Sequence, residues 1–357
     1  MKDGTINYDR EFLRKRTGAL SQIAGIKRYS FAEGRAKGVE ACEVSTGSGL
    51  SFTVLPGRGM DIAWAAYRGV PFSYMAKAPV SAPAYYEREG LGWLKNFFAG
   101  LVTTCGLCNV GGPAEYSHPI LGELRQGLHG GITNTAADNV GVGEEWVDGR
   151  YVMTVSGRVR EARLHAENLT LKRKITAAMG EDKLTIEDTV ENEACFREAL
   201  MLMYHINIGY PFLDEGARFA ANSLAITPND AFSKEMLARY DVMGPPVHGI
   251  QENVYFHDLK PAKNGTVAAA LINEKLEAGV TIRYDKKELP YLTQWKMMGE
   301  SEYALGLEPG NCTPRGRQFH GNEGTLQYLE PGETKKVRLE IGILKDAESI
   351  NNYLSDL

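Results

Sequence analysis

Apolar and polar residues alternate with a period of two along Tyr151 to Val159, Leu169 to Ile175, Lys183 to Val190 and Lys336 to Leu344. Successive side chains of an extended chain point to opposite faces, so this pattern predicts strands with one face buried and one in water. Between Leu184 and Val190, for example, Leu184, Ile186 and Val190 share one face while Thr185, Glu187 and Thr189 share the other. Turn signals follow at short spacing: Asp148-Gly149, Gly180-Glu-Asp, Asn229-Asp230, Asn264-Gly265, Asn322-Glu-Gly324 and Pro331-Gly332. Together they predict antiparallel hairpins. No helical pattern of about ten or more residues recurs between the strands, which excludes the alternating β-α order of a doubly wound or barrel α/β protein. An all-β chain remains, a large antiparallel β-sandwich or closed β assembly with a few short helices. Residues 9 to 23 predict a short helical start within an N-terminal extension, 1–24, and Gly18 keeps that helix from running long. No fixed-period repeat, low-complexity linker or composition shift divides the chain, so residues 1–357 are expected to form a single domain.

An apolar share of 43% and a charged share of 24% are ordinary for globular proteins and argue against disorder, collagen and coiled coil. Forty basic against forty-five acidic residues leave a net charge of -5 with no long basic run, so nucleic acid is not an expected partner. The first ten residues carry charge where a signal peptide needs an apolar core, and a cytoplasmic location is expected. The uncharged run from Asn96 to Ala114 is long enough to span a bilayer, but Asn, Thr and a Gly-Gly-Pro break it, so no membrane partner is expected either. Cys42, Cys105, Cys108, Cys195 and Cys312 form an odd, scattered set that suits reduced thiols. Cys105-Gly-Leu-Cys108 has the spacing of half a zinc knuckle, yet no second pair of matching form exists, and no cofactor is expected.

Four stretches are poor sandwich strands: Pro56-Gly-Arg-Gly-Met-Asp61, Gly127-Leu-His-Gly-Gly131, Tyr204-His-Ile-Asn-Ile-Gly-Tyr-Pro211 and Leu307-Glu-Pro-Gly-Asn-Cys-Thr-Pro314. Each sets an ionisable side chain beside glycine or proline, where the chain turns and backbone can approach a ligand. They are the candidate site loops. Leu128-His-Gly-Gly131 resembles the loop carrying one active-site histidine in galactose mutarotases, and His205 followed by Ile-Asn-Ile-Gly resembles the segment carrying their second. Glu308-Pro-Gly-Asn311 is similar to the segment holding their catalytic glutamate. Order and approximate spacing agree, and the resemblance, closest to an uncharacterised aldose 1-epimerase-like branch of that superfamily, extends over roughly Val54 to Leu344.

The resemblance implies a β-sandwich with a cleft for a pyranose, the substrate being a small-molecule sugar. Glu308 would remove the anomeric hydroxyl proton, His205 would protonate the ring oxygen, and His129 would hydrogen-bond a ring hydroxyl or assist the proton transfer. The residue types suit that work, because a partly desolvated carboxylate rises from about 4.3 while an imidazole starts near 6.5. Glu252 is similar in position to an acidic residue that holds sugar hydroxyls in mutarotases. Arg58 and Asp61 lie in a string typical of the branch and join the expected substrate contacts with Asn207. So does Trp93, an aromatic in an irregular glycine-flanked stretch on which a sugar ring could pack. Trp64, Phe97 and Trp295 are expected in the core, and His118, His165, His248, His257 and His320 as structure. One departure concerns the sugar: the arginine of the mutarotase Asn-Arg-Ile segment has no counterpart in Leu101-Val-Thr-Thr-Cys-Gly-Leu107, which weighs against galactose itself.

The leading expectation is therefore an aldose 1-epimerase-like isomerase acting on a free sugar by acid/base catalysis. One alternative is an isomerase, C-epimerase or lyase on a modified or acidic sugar, with or without a metal held by some of His118, His129, His205 and Glu308. Another is a sugar-binding protein without turnover. Assembly into a homo-oligomer is compatible with each.

Overall fold

The computed structural model describes residues 6–357. The alternating stretches form the strands Arg150–Ala162, Asn168–Ala178, Lys183–Asn192 and Thr334–Leu344, each pairing antiparallel with the next. They are the middle of an eight-stranded sheet that begins at Asp138–Val147 and ends with Ala278–Asp285, Thr266–Asn273 and Arg218–Ala221. A larger sheet runs in the order Gly25–Ser30, Glu40–Ser45, Leu50–Leu55, Asp61–Tyr67, Val102–Leu107, Glu198–Ile208, Glu302–Gly310, Tyr291–Gly299, Asn253–Leu259 and Ser223–Pro228. Leu171, Ile175, Leu184, Ile186, Leu339 and Ile341 of the first sheet share one buried cluster with Phe52, Val54, Leu202, Ile206, Leu305 and Leu307 of the second. The fold is a mutarotase-like antiparallel β-sandwich. Burying each such aliphatic side chain contributes about 1.5–3 kcal/mol, so this interface carries most of the stability.

Two of the turn signals behave as hairpins. Asp148-Gly149 joins Asp138–Val147 to Arg150–Ala162, and Gly180 lies between Asn168–Ala178 and Lys183–Asn192. The others do not. Asn264-Gly265 and Pro331-Gly332 sit where the chain crosses from one sheet to the other, because the strands on their two sides belong to different sheets. Asn229-Asp230 instead starts the short helix Ala231–Glu235, whose first turn Asp230 caps by accepting from Ser233 N. Asn322-Glu-Gly324 ends the helix Arg317–Asn322. The helical start at the N-terminus is one turn, Arg10–Arg14, capped by Asp9 and finished before Gly18; residues 1–5 of the expected extension lie outside the described residues. Among the described residues no helix is long and apolar enough to cross a membrane.

The inner layer holds a polar knot. Asp188 falls between Ile186 and Val190 on the buried face, where it accepts from Arg173 and from the Tyr204 hydroxyl, at 2.6 Å in each of the closest contacts. Arg173 also donates to Thr104 Oγ1 at 2.8 Å, and so ties the two sheets together. Tyr204 and Thr104 belong to the larger sheet, on the strands that carry or adjoin the candidate site.

Candidate active site

The strand Glu198–Ile208 is buried along its whole length. Leu200, Leu202, Tyr204, Ile206 and Ile208 enter the main core, whereas Met201 and Met203 enter a separate small cluster with Trp93, Cys105, Val110 and Cys312. His205 and Asn207 share the second face by alternation. Opposite them runs Glu302–Gly310, with Ile206 facing Leu307 and Asn207 facing Gly306, so the register sets Glu308 across from His205. His205 Nε2 and Glu308 Oε1 are 3.2 Å apart. The carboxylate folds back over Gly306: a Cβ there would lie 2.6 Å from Glu308 Oε1, 3.0 Å from Trp295 Cβ and 3.2 Å from His205 Cε1. Glycine at this position is what leaves room for the pair.

His129 arrives from a loop. Its amide donates to the Gly111 carbonyl at 2.9 Å and its carbonyl accepts from Gly106 N at 2.9 Å, which anchors the loop to the strand Val102–Leu107. Gly111 N in turn donates to His129 Nδ1 at 3.3 Å, so Nδ1 is the acceptor and the proton of the neutral ring sits on Nε2. The His129 and His205 rings are 6.3 Å apart. Phe97 and Trp295 each lie 5.3 Å from the His205 ring, and Trp93 lies 4.8 Å from that of His129. Glu252 accepts from Trp295 Nε1 at 2.6 Å.

These walls leave His205 only 6% and Glu308 only 2% exposed, and that burial sets their proton affinities. Desolvation, and then the neighbouring His129, push His205 down to about 3, while desolvation alone pushes His129 down to about 4. Glu308 moves the other way, well above an ordinary glutamate, first through burial and then through the charge of Glu252. Burial thus favours the neutral form of both groups, an acid at Glu308 and an unprotonated ring at His205. That is the reverse of the resting arrangement implied by a glutamate base and a histidine acid.

The profile of the family described as domain of unknown function DUF4432 matches residues 36–343. The chain belongs to this DUF4432 family. No curated protein matches it. Among solved structures, an aldose 1-epimerase candidate from Klebsiella pneumoniae superposes with a TM-score of 0.85 at 24% identity, covering 93% of this chain and 86% of that one. A galactose mutarotase-like protein from Clostridium acetobutylicum gives 0.63 at 13% identity, covering 90% and 99%. The galactose 1-epimerase of Lactobacillus acidophilus gives 0.58 at 12% identity, covering 90% and 98%. At these identities the likeness is one of fold.

In the DUF4432 domain, Glu308, His205, His129 and Glu252 converge on one side of the larger sheet, and three other expected contacts require correction. Arg58 is fully buried and spends its donors on the carbonyls of Thr133, Ser81 and Asn96, at 2.9, 2.7 and 3.1 Å. Asp61 is fully buried as well, accepting from Thr104 N, Thr104 Oγ1 and Thr133 Oγ1; burial outweighs these bonds and the Arg173 charge and raises it to about 6. Both are fully buried and hold loops in place. Trp93 is 2% exposed, stacked on Phe97, and supports His129 from beneath instead of offering a sugar platform. Asn207 lies on the site face but its amide donates to the Gly100 and His205 carbonyls, leaving only Oδ1 without a partner.

Phe97 and Trp295, read from sequence as core, are half-buried walls of the candidate site. Only strand pairing reveals them, because Trp295 gains its meaning from facing Gly306. His257 and His320 are occupied structurally by Ser223 and Gln294, and by Thr313 and Thr325. His118 lies apart beside Glu198, and among the described residues no three His, Cys, Asp or Glu side chains converge as metal ligands. Cys105 and Cys108 are fully buried, and desolvation holds both thiols well above their ordinary range. A cavity of about 930 Å³ lies on the other side of the 127–131 loop, lined among others by Arg88, Arg160, Arg163, Glu161 and Glu167, and does not reach His205 or Glu308.

Proposed function

We propose that this protein is an aldose 1-epimerase-like isomerase that interconverts the anomers of a free sugar, with His205 and Glu308 as the acid/base pair. The observation that supports this most is the 3.2 Å approach of His205 Nε2 to Glu308 Oε1 on a face walled by aromatic rings. An acid and a base held side by side are what ring opening needs. One takes the proton of the anomeric hydroxyl while the other protonates the ring oxygen; the bond from C1 to the ring oxygen breaks and C1 becomes a carbonyl. Rotation about the C1–C2 bond and the reverse transfers close the ring on the other face. Neither partner gains a net proton over the cycle. Because burial favours the neutral form of each, Glu308 gives a proton in ring opening and His205 accepts one, and ring closure on either face runs the same two transfers in reverse.

His129, neutral with its proton on Nε2, is a hydrogen-bond donor to a sugar oxygen and not an acid. Glu252 is an acceptor for sugar hydroxyls beside Trp295. Positioned acid/base groups each contribute about 10²- to 10⁴-fold. The test is exchange spectroscopy by proton NMR on a panel of free aldoses and sugar acids with the full chain added. Anomer exchange faster than the uncatalysed rate on at least one of them is expected. Binding with no exchange on any would defeat the reading in favour of a sugar-binding protein.

A further inference from the structure

The rim of the site carries a cation that the acid/base chemistry does not use. Arg315 is exposed, and among the described residues it forms no salt bridge. Its guanidinium lies 4.5 Å from the ring centre of Phe256 and 4.9 Å from that of Phe319, so it is braced by two rings and left without an anion.

Two independent placements put it beside the reacting pair. Phe256 faces Thr293, and Thr293 faces Glu308, which makes a single cross-sheet row of Phe256, Thr293, Glu308 and His205 on one face. Strands lie about 4.8 Å apart, so the Phe256 backbone is roughly 10 Å from that of Glu308, the span of a pyranose with one exocyclic substituent. On the other flank, Pro314 and Gly316 bracket Arg315 and press on Gly111: a Cβ on Gly111 would meet the Pro314 oxygen at 2.2 Å and Gly316 N at 2.9 Å. Gly111 is the residue that exchanges hydrogen bonds with His129. Arg315 thus stands between the His129 loop and the Glu308 row. Glu252 precedes the same strand as Phe256 by four residues, about 13 Å at the usual rise, and so takes the opposite end of the site.

We infer that the substrate is an anionic sugar whose oxyanion substituent, a carboxylate or phosphate, pairs with Arg315 while its neutral hydroxyls face Glu252. The inference rests on the mutarotase-like reading of the same face. An exposed guanidinium braced by aromatic rings has donors in a planar fork that matches two oxygens of such a group.

The experiment compares glucose, glucuronate and glucose 6-phosphate, measuring anomer exchange by NMR and binding by calorimetry, for the wild-type chain and for Arg315→Ala and Arg315→Lys. Exchange should favour one anionic sugar over glucose by about tenfold or more in kcat/KM. Arg315→Ala should lower kcat/KM for that sugar about ten- to a hundredfold more than for glucose, mostly through KM, and Arg315→Lys should recover part of the loss. Which of the two acids responds identifies the substituent. Equal rates for glucose and both acids, or an equal effect of Arg315→Ala on all three, would overturn the inference. If no sugar exchanges, the proposed isomerase activity fails by itself, and tighter binding of an anionic sugar to wild type than to Arg315→Ala still decides the role of Arg315; no such difference would overturn it.

Discussion

Trp295 donates its indole N–H to Glu252 at 2.6 Å, and this bond fixes a carboxylate close enough for its charge to raise the proton affinity of Glu308. Glu252→Gln keeps an acceptor for the indole and removes the charge. Glu308 should then lose its proton at lower pH, so the alkaline limb of the exchange rate should move down the pH scale. A pH-rate profile of the variant beside wild type checks this, and an unmoved limb would show that Glu252 does not tune the pair.

The opposed shifts of His205 and Glu308 predict the shape of that profile. Below about 3 His205 also protonates, and above the raised value of Glu308 the pair is empty. Activity should therefore fall below about 3 and fall again as pH rises through the raised value of Glu308, an alkaline limb well above the ordinary glutamate range. A profile with an acid limb near 6.5 would mean that His205 titrates as an ordinary imidazole.

Glu308→Gln should cut exchange by about 10²- to 10⁴-fold while sugar binding persists. It should also stabilise the fold at alkaline pH. The folded carboxyl stays protonated above 4.5, where the unfolded chain ionises, so wild-type stability declines as pH rises from there to the folded value. The amide lacks that decline. Melting temperatures of both proteins at pH 5 and pH 8, with a gap that widens at pH 8, are the expected result.

Gly306→Ala would set a methyl group 2.6 Å from Glu308 Oε1. The strand can accept alanine, so the fold should survive at a cost of about 1–3 kcal/mol, but the carboxylate must leave its place. Exchange should fall at least about tenfold with an unchanged circular dichroism spectrum.

Arg173→Met should destabilise by about 3–5 kcal/mol, since it strands Asp188 in the core. The double variant with Asp188→Leu should recover much of that loss, and urea titrations of the single and double variants measure it.

The sequence made four neighbouring strands of the eight-stranded sheet legible, because Arg150–Ala162, Asn168–Ala178, Lys183–Asn192 and Thr334–Leu344 alternate between the core and a more exposed face. It failed on Glu198–Ile208, which reads as an almost unbroken apolar run because both of its faces are covered. His129, His205 and Glu308 could be singled out by their glycine and proline neighbours. The same signal misled at Arg58, where glycine allows backbone carbonyls, not a ligand, to close around the guanidinium. Trp295, Phe97 and Arg315 acquire their roles from cross-sheet register and loop packing, and no local pattern carries that information. The turn signals at Asn264 and Pro331 are equally local, and cannot say whether the next strand returns to the same sheet.

Tyr204 and His205 are neighbours on one strand, the first knotted to Asp188 between the layers and the second turned toward Glu308. A shift of that strand by one residue would trade their places, evicting a phenol from the interior and drowning an imidazole in it. Insertions or deletions anywhere along Glu198–Ile208 should thus be lethal to folding before they can be tested for chemistry. Divergence in substrate preference is left to the connecting segments around it, where a residue such as Arg315 can be exchanged without disturbing the scaffold.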